Sequence, residues 1–225
     1  MQPVQLIQLD RMPYQEAWDF QREIFQSVVH GETEDTLILC EHPHVYTFGR
    51  GAELANFLLT DEKLTALGAE RFEIERGGDV TYHGPGQLVG YPILNLAHFK
   101  EDLGWYLRAL EDVIIEVLKA YNISGFRVAG RTGVWVGGPA NEEKICAIGV
   151  HASRWCTMHG FAFNVNTDLS YFAHIVPCGI RDRGVTSLAK VLGSHQPMDE
   201  IILATERAFE TVFNVRLTRE LVTEG

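Results

Sequence analysis

Glu143-Lys144-Ile145-Cys146-Ala147-Ile148-Gly149-Val150-His151 reads as an apolar strand that opens on a lysine. Before it come Thr132–Val136 and a Gly137-Gly138-Pro139 turn; after it comes Met158–Val165. That order predicts an antiparallel meander. On a regular strand Lys144, Cys146, Ile148 and Val150 share one face, and Ile145, Ala147, Gly149 and His151 the other. Lys144 has two readings. Its stem can snorkel to solvent, or its amine can enter a cleft where desolvation lowers its pKa and suits it to proton transfer. Gly149, and Gly160 on the next strand, fall in mid-strand, where glycine marks a bulge or a close approach. Two missing side chains on successive strands predict a slot for a linear apolar group.

Working outward, Val4–Leu9, Thr36–Cys40, Val45–Phe48, Arg71–Arg76 and Gln87–Asn95 have strand character. Pro13 opens a helix to about Val29, with Ala17, Phe20, Ile24 and Val28 at helical spacing and Gly31 as the stop. Asp61–Leu67 is a short helix. Leu103–Tyr121 is the clearest one, with a stripe of Leu103, Leu107, Leu110, Ile114, Val117 and Leu118. Thr186 is placed to cap a helix through Leu192, Pro197 starts one through Phe213, and Val215–Leu217 is a last strand. Helices scattered among mostly antiparallel strands make the fold class α+β. No repeat or Pro/Ser-rich linker divides the chain, so residues 1–225 are expected to form a single domain.

A hydrophobic content of 46% and a charged content of 22% suit a soluble globular protein. No apolar run approaches the ~20 residues of a membrane span, and the first residues carry no secretory pattern. A cytoplasmic protein without membrane contact is the expectation. The net charge of −11 argues against broad nucleic-acid binding. Arg127, Arg131, Arg154, Arg181, Arg183 and Lys190 are either ordinary surface or a patch for an acidic partner.

Arg76-Gly77-Gly78-Asp79-Val80-Thr81-Tyr82-His83-Gly84-Pro85-Gly86-Gln87 is too rich in glycine for a helix or a central strand. It reads as a long hairpin loop or a ligand-binding loop, and it matches neither the phosphate-loop nor the dinucleotide pattern. Cys146, His151, Cys156 and His159 have metal-ligand chemistry but the wrong spacing for zinc, so no metal is expected. His42, His44 and His174 read as loop histidines. In Ala173-His174-Ile175-Val176-Pro177-Cys178-Gly179-Ile180, Cys178 lies between a rigid proline and a permissive glycine. It is either a small buried hydrophobe or a nucleophile that needs a nearby cation or base; Lys144 is the candidate for that base. Cys146, among apolar neighbours, ranks below it.

Taken together, the Arg76–Gln87 segment, Lys144 with Ala147-Ile148-Gly149, His159-Gly160-Phe161-Ala162, and Pro177-Cys178-Gly179-Ile180 resemble the motifs of the lipoyl(octanoyl) transferase family, in order, from Glu41 to about Leu192. An acidic Asp79, where the family often has a neutral polar residue, is the main departure. The resemblance implies a mixed, mostly antiparallel sheet flanked by helices, like the biotinyl/lipoyl protein ligase catalytic domain. It implies transfer of an octanoyl group from acyl carrier protein to a lysine of lipoyl domains, those of 2-oxoacid dehydrogenases and the glycine cleavage H protein, with no cofactor. By the family pattern Cys178 is the acyl-thioester nucleophile and Lys144 tunes its ionisation. Arg76, Gly77, Gly78, Asp79, Val80, Thr81, Tyr82, His83, Ala147, Ile148, Gly149, Gly160, Phe161 and Ala162 would line the substrate pocket. Backbone N–H groups near Gly77, Gly78 or Cys178 are candidates for the oxyanion site. An ATP-dependent lipoate ligase, a lipoyl amidotransferase and a lipoyl-domain binder without turnover are the rival readings.

Overall fold

The computed structural model describes residues 1–139, 141–176 and 184–219. Strand β1 (Gln2–Arg11) leads into helix α1 (Tyr14–His30), then β2 (Thr36–Glu41) and β3 (Val45–Phe48). Helix α2 (Asp61–Ala66) precedes β4 (Glu70–Glu73), β5 (Val80–His83) and β6 (Gln87–Ile93). Helix α3 (Leu103–Ala120) is followed by β7 (Phe126–Val128), β8 (Arg131–Val136), β9 (Glu143–Ser153) and β10 (Cys156–Asn164). Then come β11 (Gly184–Val185), helices α4 (Leu188–Leu192) and α5 (Met198–Phe213), and β12 (Val215–Thr218).

Among the described residues the strands form two sheets. The larger runs β12-β1-β2-β6-β10-β9-β8-β7, with β11 added beside β9; the smaller runs β4-β3-β5. In the larger sheet β1 is parallel to β12 and β2, and β11 to β9, while the remaining pairs are antiparallel. The fold is thus α+β, a mixed and mostly antiparallel sheet flanked by helices. Among the described residues no helix is long and apolar enough to cross a membrane.

Strand β2 shows how the layers are made. Leu37 and Leu39 enter the core shared with α3 and α5, while Ile38 and Cys40 enter the one shared with α1. A strand covered on both faces has no solvent positions, hence its unbroken apolar run. On α3, Leu110, Ile114, Val117 and Leu118 are buried against the sheet, each contributing about 1.5–3 kcal/mol. Leu103 and Leu107, part of the same stripe in the sequence, diverge: Leu103 is 40% exposed and both line the cavity described below. Asp102 caps α3 by accepting from the Trp105 N–H at 2.9 Å, worth about 1 kcal/mol.

Four expectations need correction. The strand expected to run to Arg76 ends at Glu73; the bond from the Ile74 N–H to the Phe48 carbonyl is its last rung, and the chain then bends. The glycine-rich segment is not all loop: Val80–His83 pairs antiparallel with β3, at the edge of the small sheet. Ser187 rather than Thr186 caps α4, accepting from the Lys190 N–H. Finally, β9 carries a bulge. Trp135 pairs with Lys144 but Val134 pairs with Cys146, which leaves Ile145 as an extra residue. Ile145 and Cys146 therefore both lie in the core under α3 instead of on opposite faces.

Candidate active site

Arg76, Gly77, Gly78, Asp79, Val80, Thr81, His83, Lys144, Ala147, Ile148, Gly149, Gly160, Phe161 and Ala162 line one cavity of about 740 Å³. The expectation fails for Tyr82. On edge strand β5, Thr81 and His83 face the cavity, while Tyr82 enters the aromatic core of the small sheet. Its hydroxyl bonds His44 Nδ1 at 2.7 Å and its ring stacks on Tyr171. Cys178 lies outside the described residues.

Arg76 shapes one wall. Its guanidinium is buried and donates to the Thr47 carbonyl at 2.6 Å, to Thr47 Oγ1 at 3.0 Å and to the Gly77 carbonyl at 3.1 Å. Next to it the Gly77 N–H donates to the Val150 carbonyl at 2.9 Å, stitching the glycine loop to β9. That amide is committed, so it is no oxyanion donor. Gly149 and Gly160 do face each other across β9 and β10, but their missing side chains do not leave an empty slot. A Cβ on Gly149 would lie 2.9 Å from the Gly77 oxygen and 3.0 Å from Arg76 Cδ; one on Gly160 would collide with the Gly90 carbonyl and the Pro92 ring. The glycines permit close approach of neighbouring chain, and the cavity runs past them.

Asp79 has a clear task. Its carboxylate accepts from Asn56 Nδ2 at 2.6 Å, from the Val80 N–H at 2.7 Å and from the Glu53 N–H at 3.3 Å. Asn56 in turn accepts the Val176 N–H at 2.8 Å. The acidic departure in the motif thus ties the glycine loop to the turn that holds residue 176.

Lys144 shapes the opposite wall. Its backbone lies between Trp135 of β8 and Val185 of β11, and its Nζ is 4.9 Å from the Trp135 ring centroid, within cation–π range. A polar chain reaches it from the other wall. His83 Nδ1 donates to Gln87 Oε1 at 2.8 Å, Gln87 Nε2 to Asn164 Oδ1 at 2.9 Å, and Asn164 Nδ2 to the Thr186 carbonyl at 3.1 Å. The Thr186 N–H donates to the Lys144 carbonyl at 3.0 Å.

Residues 13–210 match the lipoyl protein ligase A/B catalytic domain. The chain belongs to that family. An octanoyltransferase from Flavobacterium psychrophilum is 49% identical over 209 residues, which cover 88% of this chain and 90% of that protein. The chain is accordingly an acyltransferase of the octanoyltransferase type within the lipoyl protein ligase A/B family. Solved structures agree on the fold. A bipartite lipoate protein ligase from Thermoplasma acidophilum superposes with a TM-score of 0.77 at 14% identity, covering 100% of this chain and 89% of that one. A biotin protein ligase from Aquifex aeolicus does so with a TM-score of 0.52 at 16% identity, covering 93% and 70%.

Several wall residues of this family member were not legible in its sequence. Tyr14 of α1 and Tyr91 of β6 line the cavity, and each sits in an element that reads as plain core. His42 does sit in the loop between β2 and β3, but it is fully buried, donating from Nδ1 to the Met12 carbonyl at 2.8 Å and accepting from the Tyr91 hydroxyl at 2.6 Å. Burial drives His42 down to about 4 and His83 to about 3, the latter helped by neighbouring His42. Burial and then the Arg76 charge take His159 to about 3. Burial also raises the Tyr14 and Tyr91 phenols and the Cys146 thiol, which removes Cys146 as a rival nucleophile. Among the described residues no group of His, Cys, Asp and Glu could hold a metal ion.

The basic set is dispersed. Arg127 binds Glu111 and Asp112, Lys190 binds Glu143, and Arg154 sits in the hairpin turn after β9. Arg181 and Arg183 lie outside the described residues. Arg131 lines the cavity.

Proposed function

We propose that this acyltransferase moves an octanoyl group from octanoyl-acyl carrier protein to one lysine of a lipoyl domain, through a thioester on Cys178. The Cys178 thiolate attacks the donor thioester carbonyl, its new C–S bond forms, and the carrier's C–S bond breaks with the carrier thiolate taking a proton. The acceptor lysine amine then attacks the Cys178 thioester, forming the amide and releasing the thiolate. Lys144 acts in both halves. As an ammonium it stabilises the Cys178 thiolate; once neutral it takes the proton from the attacking amine. Thioester to amide is downhill, so the reaction needs no ATP and no cofactor. Acceptors are the lipoyl domains of 2-oxoacid dehydrogenases and the glycine cleavage H protein, and the enzyme works in the cytoplasm as a single domain.

The observation that carries this reading is the position of Lys144. It lies on the wall of the cavity described above, in register with Val185, the second described residue after the Cys178 segment. Arg76, Gly78, Ala147, Ile148, Phe161 and Ala162, with the other wall residues named above, would contact the acyl chain and its carbonyl. Intact-protein mass spectrometry after mixing with octanoyl-acyl carrier protein should show an octanoyl adduct on Cys178 that vanishes when a lipoyl domain is added. Product formation with Cys178 unmodified would refute the mechanism, and product formation only with ATP would select a ligase instead.

A further inference from the structure

Arg131 stands out on the Lys144 side of the cavity. It opens β8, is half-buried, and lines the same space as Lys144. Among the described residues its Nη1 is shielded from solvent yet donates no hydrogen bond. A hidden guanidinium N–H without an acceptor loses on the order of 1–3 kcal/mol or more, so such a group calls for a missing partner. Two other arginines are spoken for: Arg108 and Arg127 both bond the buried Glu111 carboxylate, whose other oxygen accepts the Gly133 N–H. Glu111 is thus saturated and turned toward those groups.

The surroundings narrow the partner. Gly130 and Thr132 flank Arg131 on the wall. Leu103 and Leu107 of α3 add an apolar surface to the same space. Leu103 is the first residue of that 18-residue helix, whose N-terminal end carries partial positive charge. The Asp102 carboxylate at that end is engaged by Lys100 and by the Trp105 N–H. An anion adjoining a compact branched apolar group is the ligand this wall would accept.

We infer that Arg131 binds the phosphate at the end of the donor's pantetheine arm, with Leu103 and Leu107 receiving the gem-dimethyl group beside it. This rests on the acyl-transfer reading above and specifies how its donor is held. The reach suffices. The Lys144 side chain passes Gly133, its Cε 3.5 Å from where a Gly133 Cβ would stand, two residues or roughly 7 Å along β8 from Arg131. A pantetheine arm spans about thirteen bonds from sulfur to phosphorus, roughly 16 Å when extended at ~1.2 Å of advance per bond. With its phosphate on Arg131, the arm brings its thioester to the neighbourhood of Lys144. Arginine suits this task because its planar fork can give two parallel bonds to phosphate oxygens.

The test compares the rate of Cys178 acylation by octanoyl-phosphopantetheine with that by octanoyl-pantetheine, which lacks only the phosphate. The wild-type enzyme should favour the phosphorylated donor by about tenfold or more. Arg131→Gln should react with both at the slower rate, and Arg131→Lys, which keeps the charge but not the fork, should retain part of the preference. Thermal melting of each variant checks the fold, and Arg131→Lys carries the test should the glutamine variant fail to fold. The inference is overturned if wild type shows no preference, or if the preference survives in Arg131→Gln. It is equally overturned if the glutamine change leaves acylation untouched and instead slows transfer to the lipoyl domain, since Arg131 would then read an acidic group on the acceptor. A wild-type enzyme that takes no adduct from either donor, or from the carrier protein, breaks the acyl-transfer reading itself.

Discussion

The two walls of the cavity are built from opposite chemistry. On one side Arg76, His83, His159 and Tyr91 are buried and locked in bonds or packing, with the histidines held neutral. On the other, Lys144, Arg131, Leu103 and Leu107 are only partly buried and present charge and aliphatic surface to the open space. The contrast teaches a division of labour. The first wall is a mould in which Arg76 and His83 are bonded within the protein, and the second brings Lys144 and Arg131 to the cavity. Changes on the first wall should therefore appear as lost stability, and changes on the second as lost turnover with the fold intact.

The largest expected effect sharpens that contrast. Lys144→Ala and Cys178→Ser should each lower turnover by about a thousandfold or more, while melting temperatures stay within a few degrees of wild type. A turnover near wild type in either variant would remove that residue from the mechanism. On the mould, Arg76→Ala strips hydrogen bonds from Thr47 and Gly77. It should reduce stability in urea by about 2–4 kcal/mol. Gly149→Ala should cost about 1–3 kcal/mol, because its Cβ must push the Arg76–Gly77 loop off β9. Parental stability in both would show the wall is not rigid.

Acid should also strike the mould. His42, His83 and His159 have folded values of about 4, 3 and 3 against an ordinary 6.5, so the unfolded chain takes up their protons first as pH falls. Their contribution to stability is complete above pH 6.5 and declines from there to about pH 4 for His42 and about pH 3 for the other two, at a slope approaching about 1.4 kcal/mol per pH unit for each histidine. His159→Gln should flatten that decline in urea titrations between pH 7 and 4; an unchanged slope would contradict the neutral, buried histidine. The smallest effect belongs far from both walls. The Lys190–Glu143 pair is half-exposed, and Lys190→Ala should change stability by about 0.5 kcal/mol or less.

Much of this contrast was legible in the sequence, and the illegible part has physical causes. The β9–β10 meander and the Leu110–Leu118 stripe follow from periodicity alone, since local pattern and burial agree there. The bulge at Ile145 does not, because it depends on how β8 pairs across the sheet. The small sheet escaped for the same reason: Val80–His83 is a strand only because β3 lies beside it. On the candidate site, the glycine-loop and Lys144 motifs were readable, whereas Tyr14 and Tyr91 line the cavity through packing between distant elements, with His42 bonded behind Tyr91. Asp79, odd as a motif residue, made sense only once Asn56 and Glu53 were seen around its carboxylate.

The central claim is that the Lys144 ammonium holds the Cys178 sulfur as a thiolate. The rate of Cys178 alkylation by iodoacetamide, followed against pH in wild type and in Lys144→Met, tests it most directly. The account predicts a wild-type midpoint below the ordinary ~8.5 of a free thiol and a midpoint at or above that value in the variant. Superimposable profiles would contradict it.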